Sequence, residues 1–177
     1  MASRRLSDLN AETRHRAGIA QAEFACNDTG YELLIYCTYR SPIEQAKLYR
    51  QSRSTVEIDR KATMLTDRGF DFLAAILWGV GPQAGRLGSH VTKAGPGESW
   101  HQYKLAFDAV PVLGGKLLWD SRHLAWAMYG KALSVAKLEW AGTWKTFKEF
   151  PHAQLRDLKS NPLKQFEPED VKKKIGL

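Results

Sequence analysis

"ESWHQYKLAFDAV", residues 98–110, is the stretch on which fold and function both turn. With the residues that follow it gives "LAFDAVPV" (105–112), an apolar run of strand type. Strand alternation puts Ala106, Asp108 and Val110 on one face, so a carboxylate projects from an otherwise apolar strand. Seven residues before it stands His101, beside Trp100, which reads as exposed. On the residues alone, His101 and Asp108 are either two ligands of a metal or a loop histidine beside an unrelated strand carboxylate.

Upstream of this stretch, residues 10–25 have helical spacing, with Ala17, Ala20 and Phe24 on one face. "NDTG" (27–30) is turn chemistry, and "YELLIYCTY" (31–39) reads as a buried strand. In "SPIE", Ser41 fits an N-cap, Pro42 the first helical position and Glu44 the capping box. A helix is expected over residues 42–53, which places Arg40 at a strand-to-helix junction. Another helix is expected over residues 67–80; its apolar end, residues 72–80, is too short to span a bilayer. The Gly-rich segment after residue 80 lacks the Gly-Lys-Ser/Thr of a phosphate loop.

Downstream, Ser121 is expected to cap a helix reaching Leu138, with Leu124, Ala127, Met128, Val135 and Leu138 on one face. Residues 138–155 read as mixed strand and loop, and residues 156–177 as a polar, Lys-rich tail. The order of elements predicts an α+β fold with a small, mainly antiparallel sheet flanked by helices. The 177 residues suit a single compact domain with its motif-bearing core at about residues 31–155.

The chain has 44% hydrophobic and 25% charged residues, a globular composition. Its net charge of +7 favours an anionic partner: nucleic acid, membrane headgroups or acidic wall polymer. No helix carries a concentrated Lys/Arg stripe and no nucleic-acid motif is visible, so nucleic acid is not an expected partner. Cys26 and Cys37 form no CxxC pair, which excludes a cysteine zinc ribbon. Both are expected to be buried free thiols, with a disulfide left open. The N-terminal "MASRRLSDLNAETRHR" lacks the apolar stretch of a signal peptide, so synthesis in the cytoplasm and no stable membrane insertion are expected.

Of five histidines, His15, His90 and His123 are expected in structural or solvated roles. His101 and His152 each border a strand-like segment and have a carboxylate near in sequence, Asp108 and Glu149. Two His, one Asp and a further acid have the composition of a catalytic zinc site: three ligands, an open position and a proton acceptor.

Three segments carry a resemblance. "SWHQYKLAFD" is similar to the SxHxxGxAxD motif of the zinc D-Ala-D-Ala peptidase family (peptidase M15, VanY-like), in its L-alanyl-D-glutamate peptidase branch, which includes phage endolysins. "EFPHAQ" resembles that family's acid-x-Pro-His segment, and "TYRSPIEQAKLY" (38–49) its YRS-x3-Q-x2-LY element. The three come in the family's order and span about two-thirds of the chain. The resemblance implies a hedgehog/D-Ala-D-Ala peptidase-like fold and one Zn²⁺ held by His101, Asp108 and His152. It makes Glu149 the general base and turns Arg40 towards substrate, with Ser99, Gln45 and Trp144 as weaker substrate contacts. Ser99 equally fits a role supporting the ligand loop, and Gln45 one buttressing the site.

The implied substrate is the peptidoglycan stem peptide, cut between L-Ala and D-Glu. A monomeric lysin is expected, released from the host cytoplasm to the wall through a separate holin-type pore. A D-Ala-D-Ala carboxypeptidase or dipeptidase with the same zinc core is the nearest alternative. A basic nucleic-acid-binding protein or a non-catalytic wall-binding protein stands further off.

Two departures from the family pattern stand out. Lys104 replaces the family Gly, and an adapted turn without positive φ is expected there, with the ammonium near the site mouth. "AGTW" (141–144) has Thr143 where this branch commonly has an acid. The apolar helix before residue 80 resembles an addition, expected to enlarge the core.

Overall fold

The apolar run around Asp108 forms strand β2 (Ala106–Leu113), in a computed structural model that describes residues 2–26, 30–81, 89–158 and 161–177. The turn expected at residues 27–29 and the Gly-rich residues 82–88 lie outside the described residues. β2 pairs antiparallel with β1 (Tyr31–Cys37) on one side and with β5 (His152–Leu155) on the other. β4 (Leu138–Trp140) continues the sheet beyond β5, and the short β3 (Lys116–Leu117) folds back on the end of β2. The fold is α+β, and every strand pairing in the sheet is antiparallel.

The chain divides into two compact units. The sheet unit comprises Ala2–Tyr39 and Lys104–Leu158. In it, helices α1 (Ala11–Ala25) and α5 (Leu124–Val135) share one core with Ile35, Phe107, Ala109 and Ala153 of the sheet. Asn10 caps α1 by accepting from the Thr13 amide at 2.7 Å, and Ala17, Ala20 and Phe24 are buried at their helical spacing.

The buried face of α5 differs from expectation. It is made by Ala125, Trp126, Tyr129, Ala132 and Leu133, whereas Leu124 and Val135 are about half exposed. Trp126 and Tyr129 are the largest side chains of the helix, and it turns both inward. His123 rather than Ser121 is the N-cap, its Nδ1 accepting from the Ala125 amide, and Leu138 already belongs to β4. The two thiols also part company: both are free, but Cys26 is exposed and only Cys37 is buried.

The helical unit comprises Arg40–Tyr103 and Lys159–Leu177. α2 (Pro42–Arg50) starts on the Ser41/Glu44 capping box and stops before residue 53, where Ser52 takes a φ of +62°. α3 (Thr55–Thr66), a helix not expected from the sequence, starts on a second box, Ser54/Glu57. Asp67 caps the end of α3 and Gly69 makes the turn at φ +77°, so the next helix, α4 (Asp71–Gly79), begins later than expected. Leu73, Ala74 and Leu77 of α4 are buried.

The Lys-rich tail is not merely a solvated tail. It forms α6 (Pro168–Ile175), whose Val171 and Ile175 are buried while Lys172, Lys173 and Lys174 fill the last turn. Trp100, expected to be exposed, is buried instead, edge-on to Tyr103 and Phe166. Among the described residues, no helix is long and apolar enough to cross a membrane.

Candidate functional site

In the sheet unit, register places three chemically active side chains in one row. Cys37 pairs with Asp108, and Asp108 pairs with His152. Directly paired residues face the same way, and their strand neighbours Ile35, Phe107, Ala109 and Ala153 face the helices. The row therefore lies on the sheet face opposite α1 and α5. Period two would leave Cys37 on the Ile35 side; the bulge between Ile35 and Cys37 turns its side chain to the Asp108 face.

Asp108 and His152 are both buried, and His152 Nδ1 lies 3.2 Å from Asp108 Oδ1. Burial by itself lowers the pKa of His152. The hydrogen bond and charge of Asp108 oppose it, joined by the charge of Glu149 and the acceptor of Gln154, and the net value is raised. Two donors bound to one tetrahedral zinc at ordinary N and O distances stand about 3.3 Å apart. The Asp108–His152 pair thus has the chemistry and the spacing of one edge of such a site. The Cys37 sulfur lies within 4.8 Å of an Asp108 oxygen.

His152 is delivered by a turn whose carbonyls are held on all sides. The Glu149 amide donates to Ala141 O at 3.3 Å and the His152 amide to Glu149 O at 3.1 Å. The Phe150 carbonyl accepts from the Trp140 indole at 2.7 Å, and the Pro151 carbonyl accepts from Tyr129 Oη at 3.2 Å and the Ala109 amide at 3.0 Å. Pro151 keeps Phe150 out of helical geometry, so the chain bends between Glu149 and His152. A Cβ on Gly130 or Gly142 would run into the Trp140 ring, so both positions need glycine for close approach.

A polar chain leads away from His152. Its Nε2 lies 3.1 Å from Gln154 Oε1, Gln154 Nε2 donates to Glu139 Oε2 at 3.0 Å, and Trp144 Nε1 donates to Glu139 Oε1 at 2.6 Å. The Trp144 ring also stands 5.7 Å from the His152 ring. Thr143 donates its hydroxyl to Trp140 O and so finishes the short 3-10 turn Ala141–Thr143. Gln154, Glu139 and the site-side position of Cys37 are not among the residues expected from the sequence. Period two from His152 to Gln154, and pairing of β4 with β5, are the signals that lead to them.

Lys104 corrects an expectation. The turn before β2 keeps a left-handed residue: Lys104 has φ +62° where the family carries Gly. Its carbonyl accepts from the Asn10 amide at 3.1 Å, and its ammonium sits 5.9 Å from the Tyr39 ring centroid.

The remaining candidates lie in the helical unit. Arg40 donates to Gln45 Oε1 at 3.0 Å, and the fully buried Gln45 donates to Ala94 O at 2.7 Å. The Ser99 carbonyl accepts from the Gln102 amide and opens the 3-10 turn Trp100–Tyr103, which carries the buried His101. Glu98 anchors the segment before it, pairing with Lys61 at 2.6 Å and accepting from Gly95 N and Asn161 Nδ2. Tyr103 Oη donates to Gly97 O at 2.9 Å on the same segment.

Residues 92–155, which carry His101, Asp108, Glu149 and His152, match the sequence model of a peptidase family described as D-alanyl-D-alanine carboxypeptidase. Over 157 residues, 84% of this chain and 74% of the relative, the sequence is 27% identical to the peptidoglycan L-alanyl-D-glutamate endopeptidase CwlK of Bacillus subtilis (strain 168). A solved structure, the L-Ala D-Glu endopeptidase ChiX of Serratia marcescens, superposes with a TM-score of 0.46 at 18% identity, covering 88% of each chain. The chain is thus similar to peptidases of this kind over the segment that carries the candidate ligands.

Proposed function

We propose that the protein is a zinc-dependent peptidoglycan peptidase that hydrolyses the L-Ala–D-Glu bond of the stem peptide. The observation that carries this reading is the Asp108–His152 pair, two buried ligand-type groups 3.2 Å apart in adjacent strands. The bond is the one named for the relative CwlK. His101, Asp108 and His152 would hold one Zn²⁺. When bound, zinc supplies a Lewis acid for the scissile carbonyl and lowers the pKa of water.

The chain's own groups do the rest. Glu149 takes the proton of the attacking water and hands it to the leaving amine, so the carboxylate ends as it began. Arg40, its guanidinium oriented by Gln45, is a fixed positive charge for the developing oxyanion or for a substrate carboxylate. Ser99, Gln45 and Trp144 position substrate. The protein acts on the wall as a monomeric endolysin, reaching it through a separate holin-type pore; this rests on the family resemblance alone.

Metal content and muropeptide analysis test the reading together. Purified protein should carry about one zinc per chain, and chelation should stop wall digestion. Mass spectrometry should find stem peptides freed at L-Ala–D-Glu. The description of the matching family as D-alanyl-D-alanine carboxypeptidase favours one second reading. Products that lack only terminal D-Ala would establish it in place of the first.

A further inference from the structure

The chain from Trp144 to His152 has a direction fixed by chemistry. An indole N–H only donates, and Trp144 donates to Glu139 Oε1 at 2.6 Å. The other oxygen of that carboxylate faces Gln154 Nε2 at 3.0 Å. A carboxylate only accepts, so Gln154 must turn its NH₂ to Glu139 and its carbonyl away. That carbonyl lies 3.1 Å from His152 Nε2. It also only accepts, so Nε2 carries a proton. Flipping the amide would set carbonyl against carboxylate. Gln154 and His152 are buried, so water is poorly placed to substitute for either bond. The other ring nitrogen, Nδ1, faces Asp108.

We propose that Glu139 and Gln154 are positioning residues that reserve His152 Nδ1 for a metal ion by holding the ring proton at Nε2. The inference rests on the reading of His152 and Asp108 as ligands. A metal ion at Nδ1 would leave the Nε2 proton in place on the ring, donated to Gln154 Oε1. Neither Glu139 nor Gln154 touches the reacting atoms. They act by fixing the ring's tautomer and plane, as partners of ligating histidines generally do. Trp144 orients Glu139 in turn.

The test uses the full chain with zinc, labelled with ¹⁵N-histidine. Zinc affinity is read by competition with a chelator, and the His152 Nε2–H signal by its exchange with solvent. In the wild type that signal should persist. Gln154→Met keeps the bulk and removes the acceptor; it should weaken zinc binding about 10- to 100-fold and speed exchange. Glu139→Gln, nearly isosteric, lets the Gln154 amide flip and should move both readouts the same way by less. It serves if Gln154→Met does not fold. Zinc bound by both variants as tightly as by the wild type, with unchanged exchange, overturns the inference alone. So does a zinc-loaded wild type with the His152 proton on Nδ1. A wild type that takes up no zinc overturns the ligand reading and the inference with it.

Discussion

The two faces of the sheet are built from alternate residues of the same strands and do opposite work. One face presents Ile35, Phe107, Ala109 and Ala153 to a core completed by α1 and α5. The other presents Cys37, Asp108, His152, Gln154 and Glu139, tied in part by hydrogen bonds. Because the side-chain period is two, a slip of one residue between β2 and β5 would exchange the faces and destroy both. The apolar face therefore guards the register of the polar one. Burying Phe107 and Ala153 is what holds Asp108 opposite His152.

If the faces divide labour this way, substitutions on each should fail differently. Glu149→Ala should keep zinc and lower the rate of muropeptide release by roughly 10²- to 10⁴-fold, the usual worth of a general base. Retained lysis would show that Glu149 is not the base. Phe107→Ala, on the other face, empties a fully buried aromatic site and should cost about 3–5 kcal/mol in denaturant unfolding. Its folded fraction should still bind zinc with wild-type affinity. Weakened zinc binding in that fraction would mean that the faces are not separable.

The difference between the faces also explains what could be read from the sequence. β1, β2 and the Ser41/Glu44 box of α2 were legible because each is a local signal: an apolar run or a cap. The family motif brought His101, Asp108, Glu149 and His152 forward as candidates. The side chains around them were not legible. Glu139 and Gln154 meet only through the pairing of β4 with β5, and Cys37 reaches the Asp108 face only through a bulge. Register across strands is a tertiary property that no window along one strand contains. α3 went unread for a different reason. Its Ser54/Glu57 box was present, but Ile58, Ala62 and Leu65 form a sparse apolar stripe beside the denser run of α4.

Gly142→Ala probes how the core side supports the polar side. The added methyl meets the Trp140 ring, whose indole holds the Phe150 carbonyl in the turn before His152. Overpacking of this kind costs about 1–3 kcal/mol. Displacement of Trp140 should also weaken zinc binding. A stability loss with unchanged zinc affinity would show that the turn is held well enough by Tyr129 and Ala109 alone.

The smallest expected effect concerns the entry to β2. A non-glycine residue in the left-handed region is disfavoured by about 1–2 kcal/mol, and Lys104 sits there at φ +62°. Lys104→Gly removes that strain. Against it stand the greater freedom of glycine in the unfolded chain, about 0.5–1 kcal/mol, and the loss of the ammonium above Tyr39. At 5.9 Å that contact is at the outer limit of a cation–π interaction and contributes little. The balance favours the glycine variant by about 0.5 kcal/mol. Lys104→Ala separates the contributions, since it keeps the Cβ in the left-handed region and loses only the long side chain. The expected order of stability in denaturant unfolding is Gly, then Lys, then Ala. An alanine variant as stable as the glycine one would mean that the turn carries no strain at this position, and that the family's glycine serves some purpose other than its backbone freedom.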